Sequence, residues 1–306
     1  MSVNKKDILV IYSFKAGFHA LSMIPDSLVA PISSIGAKFA KNITPVRYKV
    51  ALTHMRRLMP EISEDKLPKY VEESFRSYIR YWIESSQAFR WPFSKLDASV
   101  ACPNLDQFNE TFKKYSNVIV VMPHMGNWDV GATWFVKRGY TMTTVAEKLE
   151  PPQLFDFFVK IRENNGLKVI GLDKDAAAKL VKEIKSKRIV GLLSDRDIQK
   201  NGIEVVFFGE KTTLPMGPAV LSLRTGIPIV IATVYSSYTQ NNSRFTVDLS
   251  PAIEFEPSKN FRSDIKNLTQ LIADNLEKAI KVAPTEWHVF QPNWPIDEVK
   301  TSDNIN

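Results

Sequence analysis

Five short, strongly apolar runs set between stretches of helical periodicity constrain this chain more than any other feature. They fall at 117–122, 141–146, 167–171, 189–194 and 227–234. In Asn117-Val118-Ile119-Val120-Val121-Met122, every residue after the first is apolar and most are β-branched, as in a strand covered on both faces. Helical patterns lie between the runs, near 129–137, 152–165, 174–187 and 216–225. Such alternation predicts an α/β fold, a central, mostly parallel sheet flanked by helices. The punctuation agrees. Pro151-Pro152 suits a first helical turn, and Gly166 and Gly226 suit helix ends. Lys200-Asn201-Gly202 predicts a tight turn before a short strand at 203–207. Ahead of this body, Val71, Phe75, Tyr78, Ile79, Trp82 and Phe89 recur at helical spacing, predicting a helical N-terminal region with mostly core side chains. Behind it, Phe261, Ile265, Leu268, Leu271, Ile272, Leu276 and Ile280 predict one long amphipathic helix.

No repeat, low-complexity tract or Pro/Ser linker divides the chain. The expectation is a single domain over 1–295, helical and membrane-facing over 1–92 and α/β over 93–295, with a polar tail at 296–306 that frays. The single cysteine, Cys102, excludes an internal disulfide and a cysteine-based metal site, and is expected to be buried or half-buried. The four histidines, His19, His54, His124 and His288, are scattered and form no His-Glu-x-x-His helix, so no metal is expected. The apolar stretch Ile8 to Met23 holds Lys15 and His19, and ends at Pro25-Asp26. It is too short to span a bilayer and reads as interfacial or packed. From Ser27 to Pro60 there is no acidic residue, whereas Lys38, Lys41, Arg47, Lys49, Arg56 and Arg57 fall there, in a chain of net charge +7. Near an anionic bilayer each such cation contributes about 1 kcal/mol, which predicts peripheral attachment to the cytoplasmic face of the inner (plasma) membrane. A solvated basic face is the plain alternative. No nucleic-acid motif or stacking platform accompanies these charges, so no nucleic acid is expected as a partner.

The chemistry concentrates at Met122-Pro123-His124-Met125-Gly126-Asn127-Trp128-Asp129. An imidazole at the carboxyl end of a parallel strand sits where open α/β sheets hold their ligands. Five residues along one helix would set two side chains roughly 140° apart, so Asp129 reaches His124 only across a turn, which Pro123 and Gly126 supply. Neutral imidazole accepts a proton at neutral pH, and a carboxylate on its other nitrogen fixes the tautomer. The motif holds no serine or cysteine nucleophile, so the activated hydroxyl belongs to the substrate. That is acyl transfer to an alcohol by general-base catalysis, with Gly126 and Asn127 as oxyanion candidates. Charges collect at other strand ends too, as Glu147 and Asp195-Arg196-Asp197, where they either face a site or form an ion-pair network.

Pro-His-Met-Gly-Asn-Trp-Asp resembles the His-x4-Asp/Glu motif of the lysophospholipid acyltransferase superfamily, and most closely its lipid A late acyltransferase and phosphatidylinositol mannoside acyltransferase branch. Further matches follow in that family's order: Val145-Ala146-Glu147, Phe157 to Arg162 leading to Gly166, Leu192 to Asp197, Gly202 to Gly209, Leu214 to Ala219, and Glu286-Trp287-His288. The mannoside branch is favoured by Asp195-Arg196-Asp197, since lipid A enzymes typically carry Gln in place of Arg196. The resemblance spans roughly residues 10–295 and implies a glycerolipid-acyltransferase-like fold.

It also implies roles. His124 is the general base and Asp129 orients it. Glu147, Arg162, Asp195, Arg196, Asp197 and Glu204 surround the donor or acceptor: Arg162 suits a phosphate, and Asp195, Asp197 or Glu204 either bind sugar hydroxyls or support His124. The donor must already be activated, because no phosphate-binding glycine loop is present to spend ATP on a free acid. A thioester fits, acyl-CoA for the mannoside branch and acyl carrier protein for the lipid A branch, with no cofactor besides this co-substrate. The expected acceptor is a mannosylated phosphatidylinositol. The rivals are a lipid A-type transferase and an acyl-CoA thioesterase. Phe155, Phe157, Phe158, Trp134 and Phe135 are candidates for an acyl tunnel and are equally ordinary core.

Overall fold

A computed structural model describes residues 5–236, 243–295 and 297. The chain opens with helices α1 (Lys5–Ser22), α2 (Asp26–Lys38), α3 (Ala40–Ile43), α4 (Pro45–Leu58), α5 (Leu67–Ala88) and α6 (Phe93–Ser99). Strand β1 (Val100–Ala101) and α7 (Leu105–Tyr115) lead into the alternating body: β2 (Ile119–Met122), α8 (Trp128–Lys137), β3 (Met142–Ala146), α9 (Pro152–Asn164), β4 (Lys168–Gly171), α10 (Ala176–Lys185) and β5 (Ile189–Leu193). A hairpin of β6 (Ile203–Phe207) and β7 (Glu210–Leu214) precedes α11 (Gly217–Thr225), β8 (Ile229–Tyr235), β9 (Phe245–Ala252) and α12 (Phe261–Val282). A short 3-10 turn, Pro284–Glu286, closes the series.

The sheet runs β1-β9-β8-β2-β5-β3-β4. Strands β8, β2, β5, β3 and β4 are parallel, while β9 lies antiparallel to β8 and parallel to β1. The expected α/β class, with its mostly parallel sheet and helical N-terminal region, is borne out. Side-chain alternation along β2 explains why its sequence is uniformly apolar. Ile119 and Val121 enter a core shared with Leu180, Leu192, Leu268 and Leu276. Val118, Val120 and Met122 enter a second core with Val130, Trp134, Met142 and Val230. A third cluster joins α4 and α5 to the C-terminal segment through Met55, Leu67, Val71 and Phe75 packed with Phe290.

The polar tail does not begin at 296 as a free end. Asp297 is buried, its Oδ2 lies 3.1 Å from His54 Nε2, and its Oδ1 accepts from Arg57 Nη2 at 3.3 Å. His54 Nδ1 donates to the Val289 carbonyl at 2.9 Å, so one imidazole ties two points of the C-terminal segment to α4. The buried Arg57 guanidinium and His54 ring need an acceptor, and this requirement overrides local polarity. The remaining expected tail residues, 296 and 298–306, lie outside the described residues. No helix among the described residues is long and apolar enough to cross a membrane.

Asp297→Ala leaves the His54 ring without its buried acceptor and Arg57 with only the half-exposed Glu210, and is expected to cost about 3 kcal/mol. Urea unfolding monitored by tryptophan fluorescence measures this, and an unchanged midpoint would show that Asp297 does not anchor the segment.

Candidate active site

The register of two parallel strands builds the site. Met122 on β2 pairs with Leu193 on β5. Two residues further along each chain stand His124 and Asp195, brought side by side beyond the carboxyl edge of the sheet. The Asp195 carboxylate is 2.6 Å from His124 Nδ1 and accepts the His124 backbone N–H at 2.8 Å. Trp287 Nε1–H donates to it at 2.6 Å, and Asn293 Nδ2 donates to the Asp195 carbonyl at 3.0 Å. Full burial of Asp195 would raise its pKa, but the imidazole charge, the imidazole and indole hydrogen bonds, and the His124 N–H together hold it below the ordinary carboxylate range. An ionised carboxylate only accepts hydrogen bonds, so Nδ1 carries the proton, and whenever the imidazole is neutral Nε2 presents its lone pair. Among the described residues Nε2 has no partner, and His124 lines a cavity of about 730 Å³.

Asp129 is elsewhere, and this corrects the expectation that it orients His124. It sits in the first turn of α8, where Arg162 donates through Nε at 2.9 Å and Nη2 at 3.1 Å, and Tyr81 OH donates at 2.7 Å. Both carboxylate oxygens are occupied before the imidazole is reached. Burial would lower the Arg162 pKa, but the Asp129 charge outweighs it and the guanidinium stays firmly protonated. Burial, reinforced by Asp129, raises the Tyr81 phenol well above its usual value. The group is therefore a fixed ion pair in the cavity wall, with Arg162 unavailable as an open phosphate ligand.

The oxyanion candidates are also corrected. Gly126 N–H donates to the Glu286 carbonyl at 2.9 Å and Asn127 N–H to the Val234 carbonyl at 3.1 Å. The Asn127 side chain is fully buried and caps α8, accepting from Val130 N at 3.2 Å. The physical reason is the close closure of this loop onto the C-terminal segment. Gly126 has φ of +58°, and a Cβ there would stand 1.6 Å from the Val234 carbonyl oxygen. No other residue fits that approach.

Of the remaining expected residues, Glu147, Arg196 and Asp197 line the cavity with Arg162. Glu147 and Arg196 have no hydrogen-bond partner among the described residues. Asp197 is committed to its own loop, accepting from Gly202 N–H at 2.7 Å and Thr213 OH at 2.9 Å. Glu204 does not reach the site: it points outward from β6 and pairs with Lys211 at 3.1 Å. Phe155 and Phe158 line the cavity, Phe157 packs against Phe14 and Phe18 of α1, and Trp134 and Phe135 belong to the core. Burial pushes the half-buried Cys102 thiol up to about 12, so it is no nucleophile at neutral pH. Among the described residues no three His, Cys, Asp or Glu side chains gather as metal ligands.

Sequence reasoning missed the roles of Trp287 and His288, although their motif stood out. His288 N–H donates to the His124 carbonyl at 2.7 Å, and its Nε2 is 2.9 Å from Ser77 Oγ. Its Nδ1 is buried without a partner. Burial first, and then the charge of His124, lower its pKa from 6.5 to about 3, so this second imidazole stays neutral beside the first.

With this geometry in hand, comparison with known proteins is decisive. The chain matches the bacterial lipid A biosynthesis acyltransferase family over residues 2–295, and it belongs to that family. It is an O-acyltransferase. It is 30% identical over 297 residues to the phosphatidylinositol mannoside acyltransferase of Mycobacterium tuberculosis (strain CDC 1551 / Oshkosh), covering 94% of this chain and 89% of that protein. To the phosphatidylinositol mannoside acyltransferase of Mycolicibacterium smegmatis (strain ATCC 700084 / mc(2)155) it is 28% identical over 291 residues, covering 93% and 91%.

The neutral His288 predicts a pH signature. The unfolded chain protonates this imidazole near 6.5, but the folded chain does so only near 3. Between those values the unfolded state binds the extra proton, so stability falls as pH falls. His288→Gln is expected to flatten the decline between pH 6.5 and the carboxylate range, measured by urea unfolding across pH. Equal slopes for both proteins would contradict a buried neutral imidazole.

Proposed function

We propose that the chain transfers a fatty acyl group from an acyl thioester, acyl-CoA, to a mannose hydroxyl of a phosphatidylinositol mannoside. The observation that carries this reading is the free Nε2 of His124, backed by Asp195, at the mouth of a large, mainly apolar cavity. The names of the mycobacterial relatives supply the acceptor.

His124 Nε2 takes the proton of the mannose hydroxyl as its oxygen attacks the thioester carbonyl. The imidazolium is stabilised by Asp195 while the tetrahedral oxyanion forms. With Gly126 and Asn127 engaged, the positive end of the α8 dipole beside His124 is the remaining backbone source of stabilisation for that oxyanion. The C–S bond then breaks, Nε2–H returns its proton to the departing thiolate, and the products are an ester and free thiol. No cofactor enters this scheme. Glu147 and Arg196 supply a hydrogen-bond acceptor for sugar hydroxyls and a cation for phosphate at the cavity rim. Asp129 and Arg162 serve by holding the wall between α8 and α9.

The acceptor and the thioester meet at a membrane surface. Eleven of the seventeen exposed large hydrophobics among the described residues fall between Ile8 and Val46, and Lys38, Lys41 and Arg47 lie among them. Phe14 of α1 packs 5.3 Å from the cavity-lining Phe158, so this apolar, basic face adjoins the site. Peripheral attachment to the cytoplasmic face of the plasma membrane follows from this reading.

His124→Ala is expected to lower kcat by about 10²–10⁴-fold, and Asp195→Asn to follow it closely because an amide cannot hold the Nδ1–H tautomer. Assays with purified mannosylated phosphatidylinositol and acyl-CoA test both. An Asp195→Asn enzyme with wild-type kcat would remove the dyad from the mechanism, and turnover only with acyl carrier protein would move the donor to the lipid A type. Vesicle flotation tests attachment: Ile35→Asp combined with Phe39→Asp should release the protein from anionic vesicles. Unchanged flotation would discount the N-terminal face.

A further inference from the structure

The cavity is not a simple bowl. It extends to both faces of the sheet, reaching Leu180 and Leu221 from the core under α10 and α11, and Met122 and Met142 from the core under α8. The second extension starts at the catalytic imidazole. The Trp128 ring stands 5.6 Å from that of His124, and Ala132 lies one helical turn deeper along α8; both line the cavity. Met122 is two residues before His124 on β2, about 7 Å further from the reacting atoms by the strand rise. Opposite it, the cavity follows β3 inward from Ala146 through Thr144 to Met142. An acyl chain whose carbonyl lies against Nε2 therefore has an apolar path leading inward from its first methylenes.

The path stops at two methionines. Beyond them lies a separate apolar void of about 20 Å³, lined by Gly131, Phe135, Val234 and Val247, and it shares Met122, Ala132 and Met142 as its wall with the large cavity. The tips of both methionines meet over Gly191, where an added Cβ would lie 2.3 Å from Met142 Cε and 3.5 Å from Met122 Cε. The absence of a side chain at Gly191 is what lets the methionines fill this level of the core. Methionine is unbranched and readily repacked, so the partition is deformable rather than rigid.

We propose that Met122 and Met142, packed over Gly191, are the end stop of the acyl channel and set the length of fatty chain the enzyme accepts. The assignment rests on the acyl-transfer reading of the site and adds the residues that choose among donors. The extension beneath α10 and α11 then remains for other parts of the substrates, in keeping with the polar Lys174, Gln199 and Asn201 that also line the cavity.

The test compares wild type with Met142→Ala, which joins channel and void, and with Ala132→Leu and Gly191→Ala, which push into the channel. Ala177→Leu, on the α10 side of the cavity, is the comparison variant. Dissociation constants are measured for acyl-CoA thioether analogues from eight to twenty carbons, alongside transfer rates from the matching thioesters. Wild-type affinity should rise about fourfold per methylene up to a limiting length and then level off. Met142→Ala should extend the rise by roughly two or three methylenes, and Ala132→Leu and Gly191→Ala should end it earlier. Ala177→Leu should leave the limit in place. If Met142→Ala is poorly folded, the two filling variants still decide, because they act in the opposite direction. Length limits unchanged by all three channel variants, or shortened by Ala177→Leu alone, overturn the end stop even if transfer proceeds normally. Limits that shift as expected in binding, with no transfer to any mannoside, uphold the stop and overturn the acceptor assignment instead.

Discussion

A carboxylate fully shut away from water is the constraint that organises this protein. Asp195 is tolerable at its position only because three N–H groups converge on it, from the imidazole and backbone of His124 and from the Trp287 indole. The carboxylate and its donors come from three separately folded pieces of chain. The carboxyl edge of β2 brings His124, β5 brings Asp195, and the segment after α12 brings Trp287. Losing any one leaves a buried charge short of donors, so the geometry at His124 and the stability of the fold are the same problem here. The arrangement also places the Nδ1 proton on the carboxylate side and leaves Nε2 of His124 facing the cavity.

The segment from Pro284 to Asp297 braces this arrangement along its length. Met125 bridges to Trp287, Gly126 N–H reaches the Glu286 carbonyl, and His288 N–H reaches the His124 carbonyl. The Glu286 carboxylate accepts the Ser236 N–H at 2.8 Å, joining the end of β8 to the same brace. The loop carrying His124 thus has its backbone donors spent on structure, which is why Gly126 and Asn127 have none to offer an oxyanion. Its far end is held by His54 and Arg57 through Asp297. Neutral His288 fits the proposed mechanism: a charge there would lie beside an imidazole that becomes cationic in the proposed transfer.

How much of this was legible in the sequence depended on range. The strands of the parallel body carry their burial in their own composition, so β2, β3, β4, β5 and β8 were readable within a residue or two. β9 was not, because Asp248, Ser250 and Pro251 interrupt its apolar side chains and lower its local strand signal. The α7 helix buries only Phe108, too little for a convincing stripe. His124 was readable as a cavity-lining strand-end residue because the turn after β2 exposes it there. Its true partner was not, because Asp129 is near in sequence whereas Asp195 is near only through the β2–β5 pairing. Nothing in the order of the strands along the chain states that the second and fifth are neighbours. The Arg162–Asp129 pair hid for the same reason, since Asp129 read as the partner of His124 and Arg162 as a phosphate ligand, whereas the fold pairs them across α8 and α9.

Asymmetry between the two faces of the sheet gives the molecule its direction. On one face α12, α10 and α11 cover the strands with a broad aliphatic core. On the other, α8 presents Trp128 and Ala132 to the cavity, with no side chain at Gly131, and the helices α1 and α5 close over the opening through Phe14, Trp82 and Phe158. That closure is aromatic and made by side chains from three helices, and its outer surface is the apolar, basic N-terminal face. A long-chain donor held there would have its tail in the protein core, its carbonyl at His124, and its polar portion at the charged rim formed by Glu147 and Arg196. Under the proposed function, the same geometry would bring a glycolipid headgroup in from the membrane side without lifting its own tails out of the bilayer. In that reading the hydrophobic effect would act on both substrates at once and orient them toward the Nε2 of His124.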